Sequence, residues 1–246
     1  MKKISKLAIY DSGLGGFSIY HDLKERYPDL EMVLYADQKH APYGNQSYEN
    51  LLDLSINAIE SISKDGFSDV LIACNTISAT SLSTLKLMFP HMNIMGIIDL
   101  TVADVAKGSI AVLATQATTA SKAYEIALAD RGSVQGIALI DLVSHIEGLS
   151  DEDTIIDYLN SIDLLKEDYD TIILACTHYP LILNTFKKLY PSLIVDSREG
   201  IASMLKDNYK PSSNASFLKT SGDPQRLKEQ VLALFKEDAE VQLWNL

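Results

Sequence analysis

Leu71-Ile72-Ala73-Cys74-Asn75-Thr76 and Ile173-Leu174-Ala175-Cys176-Thr177-His178 follow one pattern: a short apolar run, Ala-Cys, then polar residues. A brief run without polar alternation is what a strand buried on both faces looks like, and such strands belong to parallel sheets covered by helices. The chain has two cysteines, and both sit in this pattern, 102 residues apart (74 to 176). That separation is about one small domain. Two matched thiols from two similar halves imply a site served from both sides.

Outward from the two runs the chain alternates strand and helix. In the first part, strands are expected over 7–10, 31–36, 70–73 and 93–98, with helices after the glycine turn to about Tyr27, over 47–63 and over 76–89. The second part repeats the rhythm, with strands over 109–114, 134–139, 171–175 and 193–195. Helices fall over 118–129, to Glu147, and over 151–165, 180–189 and 199–206. A polar linker over 208–214 precedes a last strand, helix and strand ending near Trp244. This predicts an α/β fold of two similar domains, mainly parallel sheets flanked by helices, with the active site in the cleft between them. The linker suggests that the chain crosses between the halves late. Ligands in such sheets bind at the carboxyl ends of strands, so Asp11, Asp37, Cys74, Thr115 and Cys176 should gather at that rim.

The formal net charge of −12, with 33 acidic against 21 basic residues, excludes broad nucleic-acid or anionic-membrane binding. A small anion remains admissible, because backbone amides and helix N-termini can hold one. No apolar run is long enough to cross a bilayer, and the basic N-terminus leads into a strand pattern instead of a signal peptide. The expected compartment is the cytoplasm, where both cysteines stay reduced.

A cysteine that leaves a strand and enters a helix meets free amides and a dipole that favour its thiolate. Asn75, Thr76 and Thr177 supply short polar side chains to cap the helix or bind a carboxylate. The bland alternative is a small buried apolar residue, a common fate of free cysteine; matched contexts for both argue against it. His178 and Asp11 are the proton-handling neighbours of the two thiols. His21, His40, His91 and His145 read as solvated surface, and none has zinc-ligand spacing with a cysteine. Gly13-Leu14-Gly15-Gly16 with Asp37 is a weak dinucleotide signal, since Ser18 stands at the third glycine position. The turn is instead expected to let Ser12 and its amides face a small ligand. Two opposed thiols suit a carbon-acid inversion, one thiolate removing a proton while the other thiol returns one from the opposite face.

With those residues in view, the chain resembles the glutamate racemases of the cofactor-independent aspartate/glutamate racemase superfamily. The likeness runs nearly end to end, through Ile9-Tyr10-Asp11-Ser12-Gly13-Leu14-Gly15-Gly16, Pro42-Tyr43-Gly44, Cys74-Asn75-Thr76, Ala114-Thr115 with Thr118 and Ser121, Cys176-Thr177-His178-Tyr179-Pro180, Val195-Asp196-Ser197 and Thr220-Ser221-Gly222-Asp223-Pro224. It implies interconversion of L- and D-glutamate without cofactor or metal, supplying D-glutamate for peptidoglycan, by a cytoplasmic homodimer. It further implies that Cys74 with Asp11 takes the proton from the D-isomer and Cys176 with His178 from the L-isomer, with Glu147 an acidic residue near the site. Ser12, Pro42, Tyr43, Gly44, Asn75, Thr76, Thr118 and Thr177 would bind substrate. The chain departs from the family at Gly96-Ile97-Ile98-Asp99-Leu100, at Ala117 and at Lys39-His40. An aspartate racemase, or a non-catalytic binding protein that keeps the fold, is the alternative. A thiol redox protein is disfavoured, because neither cysteine lies in a Cys-x-x-Cys motif.

Overall fold

The computed structural model describes residues 3–212 and 216–246. The expected linker over 208–214 therefore lies partly outside the described residues. The elements in chain order are β1 (Lys6–Asp11), α1 (Gly16–Arg26), β2 (Glu31–Ala36), α2 (Tyr48–Lys64), β3 (Asp69–Ile72), α3 (Asn75–Thr80), α4 (Leu82–Met88), β4 (Asn93–Gly96) and α5 (Ile98–Val102). Then come β5 (Gly108–Ala114), α6 (Gln116–Ser121), α7 (Ala123–Ala127), β6 (Gly132–Ala138), α8 (Leu142–Glu147), α9 (Glu152–Asn160), β7 (Thr171–Ala175), α10 (Leu183–Leu189), β8 (Leu193–Val195), α11 (Ser197–Lys206), β9 (Phe217–Thr220), α12 (Pro224–Phe235) and β10 (Val241–Leu243).

The strands form two sheets, ordered β10-β9-β2-β1-β3-β4 and β6-β5-β7-β8. Every ladder is parallel, as expected for strands apolar on both faces. Period-two alternation divides each strand between two cores. From β1, Leu7 and Ile9 join Phe17, Tyr20 and Leu23 of α1, while Ala8 and Tyr10 join Leu51, Ile59 and Ile62 of α2. From β7, Ile172 and Leu174 meet Leu142, Ile146 and Ile155, while Ile173 meets Tyr124, Leu128, Ile98 and Val102. α11 follows the last strand of the four-stranded sheet, yet its Ile201 and Leu205 pack in the core beneath the six-stranded one.

Several helices are shorter than their polar pattern suggests. The 76–89 segment breaks at Ser81, where the Thr80 hydroxyl donates back to the Thr76 carbonyl at 2.8 Å and competes with the helix ladder. The 118–129 segment breaks at Lys122, which is left-handed at φ 55°. The 151–165 segment ends at Asn160 and resumes as a 3-10 turn over Asp163–Lys166. Residues 179–182 form another 3-10 turn, because Pro180 can begin a helix but cannot donate within one. Ile98, expected to end a strand, instead opens α5.

α5 and α11 lie side by side, and Gly200 is the point of closest approach, since a Cβ there would collide with the Leu100 backbone carbonyl. Backbone on the far side cannot swing away as a side chain could. We expect Gly200→Ala to lower stability by about 1–3 kcal/mol, read as an earlier urea midpoint at unchanged slope. A midpoint equal to that of the parent chain would show that the helices part without cost.

Candidate active site

β1 ends in a carboxylate with no solvent contact. Asp11 Oδ2 accepts the Gly13 and Gly16 amides, each at 3.0 Å, and Oδ1 accepts the Thr177 hydroxyl at 3.2 Å from the other half of the chain. The turn over 12–16 thus wraps its own strand end. Its glycines are required by crowding: a Cβ at Gly15 would strike the Thr177 hydroxyl and the His178 ring, and one at Gly16 would strike Asp11. The expectation that these amides face a ligand is corrected for Gly13 and Gly16, whose N–H groups are spent on Asp11. Burial raises the Asp11 carboxyl above its ordinary range, against the pull of His178, the two amides and Thr177.

Cys74 follows β3 and occupies the residue before α3, with its Sγ 3.9 Å from Ser12 Oγ. The expected thiolate preference does not hold at Cys74. Burial and then the Asp11 charge push Cys74 up to about 12, and the amide of Ile77 offsets this only in part. α3 has six residues, too short for its dipole to outweigh desolvation.

Cys176 follows Ala175 of β7, beside Ala114 of β5. Its Sγ lies 3.9 Å from His178 Nδ1, and His178 Nε2 lies 2.8 Å from Glu147 Oε1. Burial alone would depress the imidazole, but hydrogen bonds and charge from Cys176 and Glu147 overcome it and lift His178 to about 10. Burial raises Glu147 in turn, yet His178 and the more distant Arg226 bring its carboxyl below the ordinary value. The ring is therefore an imidazolium at neutral pH, held between the Cys176 sulfur and the Glu147 carboxylate.

The two thiols open on one cavity of about 370 Å³ between the carboxyl ends of the two sheets. It is lined by Cys74, Cys176, His178, Glu147, Ser12, Pro42, Tyr43, Gly44, Asn75, Thr76 and Thr177, all singled out from the sequence. Asp11 and Thr118 are not in that wall; both are buried directly behind it. Asn75 Oδ1 accepts the Tyr124 hydroxyl at 2.6 Å, and the Thr76 hydroxyl meets those of Thr115 at 3.0 Å and Thr118 at 3.3 Å. These bonds join the two halves. The Tyr43 hydroxyl lies 2.8 Å from that of Tyr10 and donates to Asp37 at 2.5 Å.

Asp37, expected at the rim, is buried outside the cavity wall and holds Tyr43, His40 and Ser221. His40 is thus half-buried and partnered, as are His21 with Glu237 and His145 with Ser150; of the four histidines read as surface, His91 is exposed. Sequence reasoning missed Gln38, Lys39, Gln116, Ser144, Asp223 and Arg226 in the cavity wall. The strand-end rule could have found Asp223, which follows β9, but nothing local marks Arg226. Among the described residues, no group of three or more His, Cys, Asp and Glu could hold a metal ion.

The Asp/Glu/Hydantoin racemase family model matches residues 18–205. A glutamate racemase of Aquifex aeolicus is 32% identical over 247 residues, covering 96% of each chain. One of Persephonella marina is 32% identical over 214 residues, covering 81% of each. The crystal structure of a glutamate racemase isoform from Bacillus anthracis superposes with a TM-score of 0.90 at 25% identity, covering 99% of this chain and 98% of that one.

The His178–Glu147 pair makes a signed prediction. His178, raised from 6.5 to about 10, stabilises the fold fully below pH 6.5 and loses that contribution as pH rises through about 10. Glu147, lowered from 4.5, contributes above pH 4.5 and loses it on acidification. Glu147→Gln should therefore move the His178 imidazole titration, followed by NMR, to lower pH. The stability gap between parent and variant should be widest between pH 4.5 and 6.5 and should close toward pH 10. An unmoved titration would mean that Glu147 does not hold the imidazolium.

Proposed function

The chain belongs to the Asp/Glu/hydantoin racemase family, and we propose that it interconverts L- and D-glutamate by passing protons between two cysteines. The observation that carries this is the pair of free thiols, one from each half, lining a single cavity. The curated relatives named glutamate racemase, matched over nearly the whole chain, support the substrate.

The two thiols have different neighbours. The His178 imidazolium beside Cys176 is the partner a thiolate base calls for, whereas Cys74, pushed up to about 12, remains a thiol. Cys176 thiolate takes the Cα proton of L-glutamate, leaving a carbanion whose charge spreads into the carboxylate. Cys74 thiol donates its proton to the opposite face, giving D-glutamate. The enzyme is left with Cys74 as thiolate and Cys176 as thiol, the arrangement that removes the proton from the D-isomer. Asp11, buried near Cys74, is proposed to assist it, as His178 assists Cys176. Ser12, Pro42, Tyr43, Gly44, Asn75, Thr76, Thr118 and Thr177 are proposed to surround the substrate, with Asp11 and Thr118 acting from behind the wall. Closing water out is part of the proposal, since a carbanion at Cα must meet the thiol before solvent.

The reading extends to two lobes, 1–98 with 210–246 and 99–209, that close on substrate, and to a homodimer. Its place is the cytoplasm, supplying D-glutamate for peptidoglycan. The unpaired cysteines suit a reducing compartment, and no helix among the described residues is long and apolar enough to cross a membrane.

In deuterated water, without added cofactor, the protein should invert glutamate and exchange its Cα proton. Cys74→Ser and Cys176→Ser should each reduce racemisation in both directions by about 10³-fold or more, with the fold intact by circular dichroism. No exchange with glutamate would sink the substrate assignment, and near-normal racemisation by either variant would sink the two-base mechanism.

A further inference from the structure

The charge of this chain is wrong for its proposed substrate. Glutamate carries two carboxylates and one ammonium, while the protein carries a net charge of −12, so the long-range field repels the molecule that the cleft must admit. Local charge has to overcome that field at the mouth. Lys39 and Arg226 are the lysine and arginine side chains in the cavity wall, and both are exposed.

Arg226 differs from the other arginines. Arg26 pairs with Asp22 and Glu199, Arg131 with Asp130, and Arg198 with Asp196; among the described residues Arg226 forms no ion pair. An arginine left without a carboxylate in a protein this acidic is available to one from outside. Lys39 is likewise without an ion pair among the described residues.

The segments that carry these cations are fastened together. The Thr220 hydroxyl donates to Gln38 Oε1 at 3.0 Å, and Gln38 Nε2 donates to Gln230 Oε1 at 2.9 Å. The Lys39 amide donates to Ser221 Oγ at 3.1 Å, and Asp223 caps α12 by accepting the Gln225 amide at 2.9 Å. Arg226 is the third residue of that helix. The loop after β2 and the start of α12 thus form one built wall, with two free cations on its cavity side. The field of Arg226 reaches Glu147, which also lines the cavity and is occupied by His178.

We propose that Arg226, aided by Lys39, is a positioning residue that draws an acidic amino acid into the cleft by its side-chain carboxylate. This inference rests on the glutamate reading above. It concerns capture, whereas the thiols are proposed to do the proton transfer, so its signature is a split between KM and kcat.

Steady-state racemisation of D- and L-glutamate is compared at about 20 mM and about 500 mM NaCl for the parent chain, Arg226→Gln, Arg226→Lys and Lys187→Gln. Lys187 is exposed on α10 outside the cavity wall, so its loss changes net charge alone. Arg226→Gln should raise KM about three- to tenfold at low salt with kcat within about twofold, and the gap should shrink at high salt. Arg226→Lys should restore most of the loss, and Lys187→Gln should match the parent. The proposal falls if KM for Arg226→Gln is unchanged, if its rise is equal at both salts, if kcat takes the loss, if lysine fails to rescue, or if Lys187→Gln does the same. Matching thermal unfolding of parent and Arg226→Gln separates these outcomes from misfolding. A parent chain that exchanges no glutamate removes both readings, whereas an active parent with an indifferent Arg226→Gln removes only this one.

Discussion

The carboxylate of Asp11 is buried at the end of a strand, and much of the molecule follows from keeping it satisfied. An ionised group without solvent is costly unless donors surround it. Its donors come from two directions: the Gly13 and Gly16 amides of its own turn, and the Thr177 hydroxyl from the opposite sheet. The strand end therefore cannot be completed by its own half of the chain. Docking of the two sheets thus completes the hydrogen bonding of Asp11.

Crowding enforces the same closure. Gly15 and Gly16 are bare because Thr177, His178 and Asp11 occupy the space that side chains would need, and Gly44 is bare against the side chain of Thr115. The Ser18 hydroxyl bonds both to Gly15 in its own turn and to the Thr177 carbonyl across the cleft. What resembles a nucleotide-binding glycine turn is here an interface between halves. With the Asn75–Tyr124 and Thr76–Thr115 bonds, these contacts hold the two cysteines to one cavity without a disulfide.

The site is matched in its thiols and unmatched in their surroundings. Cys74 faces a hydroxyl, with a buried anion nearby, while Cys176 faces an imidazolium backed by a carboxylate. Burial and the Asp11 charge hold Cys74 as a thiol, while His178 stands beside Cys176 as an imidazolium. Such asymmetry is in keeping with the proposed transfer, in which one thiol takes a proton and the other returns one. Beyond the thiols, the wall of Gln38, Lys39 and Arg226 brings distant parts of the chain to the mouth, joined by the packing of β9 against β2.

The strands were legible because a parallel strand covered on both faces is mostly apolar, and 31–36, 171–175 and 193–195 have the expected bounds. The helix breaks at Ser81 and Lys122 were not, since hydroxyl back-bonding and one left-handed residue scarcely alter an apolar period. Strand-end position also marked the site: Cys74, Thr115 and Cys176 reach the cavity wall, while Asp11 lies buried behind it. The same rule misplaced Asp37, whose carboxylate is drawn away by His40 and Tyr43 of the loop that follows it and by Ser221 from far along the chain. Sequence alone thus determined the alternation, the parallel sheets and the cysteine pair, because each depends on residues near one another in the chain. The protonation of Cys74 and His178 and the arrival of Arg226 were decided by tertiary structure. The charges that decide them come from afar in the chain, Asp11 acting on Cys74 and Glu147 on His178, and the pairing of β9 with β2 brings in Arg226.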